Sequence, residues 1–570
     1  MRGRVFRRLL FVVLALVAIG WWLLPGGPEI EPNSVLEIEL AGGWVESAEP
    51  PLFARLFGPT PRPLASLLAE LALAERDERI VAVVLRVRSL NVGWAKAQEI
   101  RDAIARLGER GRRTIAYLEL ESLGANLEYY VASAAQEVYV GPASRAPLVG
   151  LAGEYLFFGG FFDELGVDLE VERVGRYKTA ADTWAGREMS DAHREMADAL
   201  LDSIDAQFVG GIAAGRGITE AVVREAIDAA PSDPADLASF GLVDGVEDWE
   251  TTLARAGDGP RVDAETWRRV DPASVGIAPV ARFALVYASG ALVTGRGGTT
   301  PLGAVMLGSQ TLAKALTDAA EDPEIDAILL RVDSPGGSAL AAELVWSAAQ
   351  RARASGKPLI ASFSDVAASG GYYLAAGADA IVASPATITG SIGVLVVRPV
   401  LADLLEKLDI GVASLTRGAH ADLQLTSRPL SPGSRAVLRR EVDAVYELFV
   451  KRVADGRPLD PPGVDLVGRG RVWTGVQAAE RGLVDELGGL RAAADLAKQR
   501  LGLDPLADVA LVSYPPPRPL AEQIAEAFTQ GVRATVVSPL GEVLGRLEPW
   551  LDAARAGVPV ALLPFRVEIR

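Results

Sequence analysis

Ala327-Ile-Leu-Leu-Arg-Val-Asp-Ser-Pro-Gly-Gly-Ser338 is the stretch that decides the fold class. Ala327–Val332 is a short run of mostly branched apolar residues, the right length for a buried strand and too short for a helix. Pro335 and two glycines then punctuate the chain, and Ala339–Ala354 has helical spacing with many small residues. Outward from there the alternation continues. Arg282–Val286 is a strand before it; Leu359–Ser362 is a strand after it, Gly371–Gly377 opens a helix and Ala380–Ala383 is another strand. Strands alternating with helices imply an α/β fold, with a mostly parallel sheet and helices on its faces.

The pattern occurs twice. Ile38-Glu-Leu-Ala-Gly42 resembles Val286-Tyr-Ala-Ser-Gly290, 248 positions on. Leu85-Arg-Val87 recurs as Leu330-Arg-Val332 at 245, Tyr129-Tyr130 as Tyr372-Tyr373 at 243, and Gly241-Leu-Val-Asp244 as Gly482-Leu-Val-Asp485 at 241. The order is kept and the offset drifts slowly, so a unit of about 240 residues has been duplicated. Long amphipathic helices are expected over Ser190–Gly211 and Ser431–Val453, one per unit. The expected organisation is a basic flank over 1–8, a transmembrane anchor over 9–25, a linker over 26–63, a first unit over 64–275, a second over 276–514 and a C-terminal segment over 515–570. Pro515-Pro516-Pro517 breaks the chain before an amphipathic stretch near Leu520–Val532.

The anchor rests on Arg2, Arg4, Arg7 and Arg8, then Leu9–Leu24 without a charge, then Trp21-Trp22 and Pro25. A basic flank, an apolar run and interfacial tryptophans match a short span with its N-terminus in the cytosol. A cleaved signal peptide is the rival reading, but no small-x-small cleavage site follows the run. The net charge of −17 argues against nucleic acid as a partner, since phosphate binding needs clustered cations. The chain has no cysteine and two histidines, His193 and His420, which excludes thiol chemistry and makes a histidine-built zinc site implausible.

The two copies keep and lose different residues. In the second, Gly336 and Gly337 stand between strand and helix, where free backbone N–H groups can hold an oxyanion. A tight turn needs glycine as well, so the motif alone leaves both readings open. Ala367-Ala-Ser-Gly-Gly-Tyr-Tyr373 places Ser369 among small residues at the mouth of a strand–turn–helix. In the first copy Ser369 falls on Asn126, and the glycines fall on Asn91 and Val92. Conversely, the first copy has Glu170-Val-Glu-Arg-Val-Gly-Arg-Tyr-Lys178, whose counterpart Ser414–Asp422 contains no lysine. A lysine buried in apolar surroundings loses its proton and can act as a base, though the residues alone do not separate Lys178 from a solvated surface lysine.

Five strings together resemble the long form of the signal peptide peptidase A family, also called protease IV: Arg176-Tyr-Lys-Thr-Ala180 with Met189-Ser190, Asp333-Ser-Pro-Gly-Gly-Ser338, Ala368-Ser-Gly-Gly-Tyr-Tyr373, Thr389-Gly-Ser-Ile-Gly393 and Arg471-Val-Trp-Thr-Gly475. The resemblance implies tandem crotonase-like, ClpP-like units and a Ser-Lys dyad. Ser369 would attack the scissile carbonyl and Lys178 would take its proton. Gly336 and Gly337 would supply oxyanion donors, and Ser391 would orient the lysine. It further implies signal peptides and other apolar peptides as substrates, no cofactor, and a homotetramer. The place would be the bacterial inner membrane, with a single span and the catalytic part on the periplasmic side. Three rivals stand beside it: a Ser-His-Asp protease using His420, a non-enzymatic membrane scaffold, and acyl-CoA hydratase or isomerase chemistry, which conflicts with the export signal.

Overall fold

The computed structural model describes residues 28–46, 62–299, 305–516 and 560–562. The expected anchor over 9–25 and the amphipathic stretch near Leu520–Val532 lie outside the described residues. Among the described residues no helix is long and apolar enough to cross a membrane.

The first unit contains, in chain order, β1 (Ser34–Gly42), α1 (Leu64–Arg76), β2 (Ile80–Leu90), α2 (Trp94–Glu109), β3 (Arg113–Leu118), α3 (Asn126–Ala132), β4 (Glu137–Val140), α4 (Gly159–Leu165), β5 (Asp168–Val174), α5 (Asp191–Arg216), β6 (Gly245–Val246) and β7 (Arg261–Asp263). The second contains β8 (Ala281–Ser289), β9 (Ala291–Val293), α6 (Ser309–Glu321), β10 (Ala327–Ser334), β11 (Gly336–Ser338), α7 (Ala339–Ala354), β12 (Leu359–Ala368), α8 (Gly370–Ala375), β13 (Ala380–Ala383), β14 (Ile388–Gly390), β15 (Val394–Val400), α9 (Ala402–Lys407), α10 (Pro432–Gly456), β16 (Val472–Thr474), β17 (Glu486–Leu487) and β18 (Val509–Tyr514). A last strand, β19, is Val560–Leu562.

The first sheet has the order β6-β4-β3-β2-β1-β7, and every pair is parallel. The second has β17-β13-β12-β10-β8-β18, the same order with each strand replaced by its repeat partner, again all parallel. β14 continues beside the far end of β12, and β16 runs antiparallel to it. Helices cover both faces of such a sheet, so its central strands read as unbroken apolar runs. Val83, Val84, Leu85 and Val87 of β2 are fully buried, as are Ile328, Leu329, Leu330 and Val332 of β10. The two long helices start where their caps predict, with Ser190 and Ser431 accepting from the backbone three residues on. Both run further than expected, to Arg216 and Gly456.

The stretch expected as linker enters the fold early. β1 pairs with β2 on one side and β7 on the other. Glu46, which opens the proline-rich part, is buried against Arg331 of β10. A buried guanidinium left without an acid is strongly destabilising, and Glu46 supplies that partner from within the stretch.

A third sheet joins the units, with the neighbours β9, β11, β19, β15 and β5 in that order. β5 of the first unit runs antiparallel to β15 of the second, from Val174↔Val394 to Asp168↔Val400. Arg398 donates across the pair to Glu170 at 2.7 Å, and Arg435 of α10 donates to Glu172 of β5 at 2.8 Å. The apolar core of the first unit runs on into Ala368, Ala386, Ile388 and Val472 of the second.

Candidate active site

Ser369 directly follows β12 and stands at the cap position of α8 with φ 55° and ψ −117°. Residues other than glycine rarely adopt that conformation, which costs about 1–3 kcal/mol and marks a turn held by its surroundings. Here Ser369 N donates to Gly390 O at 2.8 Å, and Ser369 O accepts from Tyr373 N at 2.8 Å. A Cβ on Gly371 would lie 2.5 Å from Ser334 O, so only glycine lets the start of α8 rest on the loop before β11. The sharp strand-to-helix turn leaves the hydroxyl free of its own backbone, as in other nucleophile turns.

Lys178 comes from the other unit. It follows β5, and the β5–β15 pairing carries it across. Its Nζ lies 2.7 Å from Ser369 Oγ, 2.9 Å from Ser391 Oγ and 3.0 Å from Ser391 O. The side chain is fully buried, and burial alone holds the amine well below the ordinary lysine range. A neutral amine has two N–H bonds and one lone pair. The carbonyl of Ser391 can only accept, so it takes one N–H. The Ser391 hydroxyl accepts the second. The lone pair is left for the Ser369 O–H.

Two glycines make room for this lysine. A Cβ on Gly470, at φ +84°, would fall 2.4 Å from Lys178 N, and one on Gly393 would fall 3.2 Å from its Cδ. Tyr177 N donates to Arg469 O at 3.0 Å and Gly470 N to Ile392 O at 2.7 Å. The loop 468–471 thereby seals the lysine from solvent. Ser391 is itself in a left-handed conformation, φ 51°, and its N–H donates to Arg471 O at 2.7 Å.

Gly336 and Gly337 form β11 with φ 98° and 152°. A Cβ on Gly337 would lie 2.1 Å from Leu292 O. β11 pairs with β9 on one edge and with β19 on the other, in the register Gly336↔Leu562 and Gly337↔Ala561. Gly336 N donates to Ser334 Oγ at 3.2 Å.

In the first unit the same place is filled differently. Both ends of the Asn126 amide are used within the fold, donating to Gly150 O at 2.9 Å and accepting from Val149 N at 3.1 Å. Asp422, opposite Lys178 in the repeat, accepts from Ser431 N and Ser434 Oγ at the start of α10. His420 is exposed, and its Nδ1 lies 3.3 Å from Ser434 Oγ. His193 is buried with its ring against Tyr155 and Phe157. Neither ring is a hydrogen-bond partner of Ser369 Oγ.

Two stretches, 110–263 and 351–504, match the model of peptidase family S49, and together they span more than half of the chain. The chain belongs to peptidase family S49. It is a serine protease of the tandem-domain form, with the family domain present once in each half as the collinear repeat requires. It is 33% identical over 465 residues to the chloroplastic serine protease SPPA of Arabidopsis thaliana, covering 80% of this chain and 68% of that one. It is 30% identical over 527 residues to protease 4 of Salmonella typhi, covering 86% and 83%. A putative signal peptide peptidase of Enterococcus faecium is 36% identical over 200 residues, which is 34% of this chain and 56% of that one.

Within this S49 site some residues escaped the sequence reading. Gly470 carries no signal beyond being a glycine, and Gly393, which closes the Thr389–Gly393 string, was given no role of its own. Arg331 did carry one, since an arginine inside a run of buried apolar residues demands a buried acid. Its partners, Glu46 at 2.8 Å and Glu99 at 2.6 Å, are 285 and 232 residues away, out of reach of any spacing rule.

Proposed function

We propose that this S49 protease is a membrane-anchored endopeptidase that uses Ser369 as nucleophile and Lys178 as general base to degrade signal peptides and other apolar peptides. The 2.7 Å contact between a buried amine of lowered pKa and the hydroxyl of a serine with left-handed backbone carries the reading. Ser369 Oγ attacks the peptide carbonyl as its proton passes to Nζ. The backbone N–H groups of Gly336 and Gly337 are read as the oxyanion donors, with Gly336 N–H exchanging its bond to Ser334 Oγ for the substrate oxygen. The ammonium then protonates the leaving amine, the C–N bond breaks, and an acyl-serine remains. Water, deprotonated by the regenerated amine, completes hydrolysis. Ser391 keeps the amine aimed at Ser369.

The substrate is read as an added strand. β19 already sits between β11 and β15, antiparallel to both, and an extended peptide in that slot gains main-chain hydrogen bonds on two edges. Each unit is read as crotonase-like, from the motifs and the repeated parallel order. Membrane attachment on the periplasmic side rests on the charge and hydropathy pattern of residues 1–25.

Copies assemble head to tail into a closed homotetramer. β5 and β15 use one edge from each unit. Their repeat counterparts, about 411–417 after α9 and 151–157 before α4, form no strand. They leave Val412, Leu415 and Leu156 exposed, at 53%, 94% and 62%. Pairing these unused edges between copies repeats the contact already made within one chain.

The deciding experiment is cleavage of a signal peptide in detergent by wild type, Ser369→Ala, Lys178→Ala and His420→Ala. Activity is lost in the first two variants and kept in the third. Full activity in a folded Lys178→Ala protein overturns the dyad. Absence of fluorophosphonate labelling at Ser369 in wild type returns the scaffold reading.

A further inference from the structure

Lys96 and Lys178 are the two buried lysines among the described residues, and their surroundings are opposite. Lys178 has no carboxylate near it. Lys96 has three: its Nζ lies 2.6 Å from Asp333 Oδ2, 3.0 Å from Asp365 Oδ2 and 3.7 Å from Glu46 Oε1. Burial disfavours its charge, but the acids outweigh burial and hold the ammonium above the ordinary lysine range.

Lys96 stands in the first turn of α2, in the unit without the serine, and reaches into the unit that has it. Asp365 precedes Ser369 on β12, and Asp333 precedes the glycine loop on β10. Asp365 also caps α2 from across the junction, accepting from Lys96 N at 3.0 Å and Gly93 N at 3.2 Å. The cap residue of α2 is Gly93, which has no side chain of its own, and a Cβ there would lie 2.3 Å from Asp365 Cγ. Asp333 accepts in turn from Val366 N at 3.2 Å. In the repeat register Asp333 falls on Arg88 and Lys96 on Ala341. Lys96 and the two strand-borne acids it bridges, Asp333 and Asp365, therefore come from different copies, while Glu46 comes from the same half as Lys96.

We propose that Lys96 is a positioning residue for the Ser369 reaction, its ammonium fixing the spacing between the nucleophile strand and the oxyanion strand. The proposal rests on the dyad reading. Two like charges on neighbouring strands repel, and here a single cation from the opposite unit draws both strand ends together. Arg331, the other cation of the cluster, is occupied by Glu46, Glu99 and Ser362. It bonds neither Asp333 nor Asp365.

The test compares Lys96→Met with Glu99→Gln, which perturbs the same buried cluster through Arg331 but makes no hydrogen bond to Asp333 or Asp365. Peptide kcat, KM, Tm and the rate of fluorophosphonate labelling are measured for each. Lys96→Met lowers kcat and the labelling rate on the order of 10- to 100-fold with KM nearly unchanged, as a misplacement of about 1 Å does. Glu99→Gln lowers Tm and leaves kcat near wild type. A folded Lys96→Met protein that labels at the wild-type rate overturns the proposal, and so does an equal loss of kcat in Glu99→Gln. If Lys96→Met does not fold, Asp365→Asn replaces it, since its single amide oxygen keeps the cap bond from Lys96 N while the charge and the bond from Gly93 N are lost; wild-type kcat there overturns the proposal. Labelling of wild type at Ser369, and its loss in Ser369→Ala, tests the dyad separately.

Discussion

A lysine becomes a base when both water and carboxylates are kept from it. Lys178 meets both conditions, whereas Lys96, equally buried, meets only the first and stays charged. The sign of the pH effect follows. Below the lowered pKa of Lys178 the amine is protonated and cannot accept from Ser369, so fluorophosphonate labelling falls on the acid side of that pKa and is flat above it. A wild-type profile without an acid limb assignable to Lys178 contradicts this. The same shift affects stability. The unfolded chain binds the proton below about 10.4 and the folded chain does not, so the contribution present above that pH is lost as pH falls through the folded-state pKa. In Lys178→Met this part of the pH dependence of Tm disappears. Ser391→Ala removes one acceptor of the amine, and activity drops about 5- to 10-fold with folding intact, the loss of one buried hydrogen bond of about 1 kcal/mol.

At the scale of elements, the site depends on one antiparallel pairing and one loop. β5 ends four residues before Lys178, and its register on β15 decides where the amine arrives. A slip of one residue would turn each side chain of β5 to the opposite face. The Arg398–Glu170 pair, directly cross-strand, pins that register, and Arg435–Glu172 ties β5 to α10. The loop 468–471 then closes over the lysine with its backbone. Gly470→Ala puts a methyl 2.4 Å from Lys178 N at a left-handed position. The backbone conformation alone costs about 1 kcal/mol, and the contact forces Lys178 to move. The expected result is a folded protein with a Tm lowered by a few degrees and peptide hydrolysis reduced at least tenfold. Wild-type kcat in Gly470→Ala would show that the lysine tolerates the shift.

On the scale of the whole molecule, duplication supplies two scaffolds, and on the dyad reading divergence divides the chemistry between them. The division requires the units to be locked together, and the shared core, the β5–β15 pair and the Lys96–Arg331 cluster do so. The unused edges at 151–157 and 411–417 predict the assembly. Val412→Lys together with Leu415→Lys reduces the sedimenting species to a smaller one in detergent, while single-chain chemistry, measured by labelling at Ser369, persists. Unchanged sedimentation would place the contact elsewhere. β19 occupies the slot proposed for substrate. A chain ending at Pro516 therefore lowers KM for a short apolar peptide, and an unchanged KM would show that β19 lies clear of that slot.

Much of this was legible without coordinates, for reasons that are local. The strand Ala327–Val332, the helix Ala339–Ala354 and the strand Ala380–Ala383 follow from periodicity and punctuation. The duplication follows from collinear strings, and the uneven loss of Ser369 and Lys178 between copies pointed to a site shared by both. What residue order could not decide is the state of each lysine. The raised proton affinity of Lys96 and the lowered one of Lys178 depend on which carboxylates lie within a few ångströms, and the two strand carboxylates at Lys96 stand 237 and 269 positions away in the chain. Glu46 shows the same limit, since its segment reads as linker until Arg331 is placed beside it. Periodicity is a property of neighbours in the chain, whereas proton affinity is a property of neighbours in space.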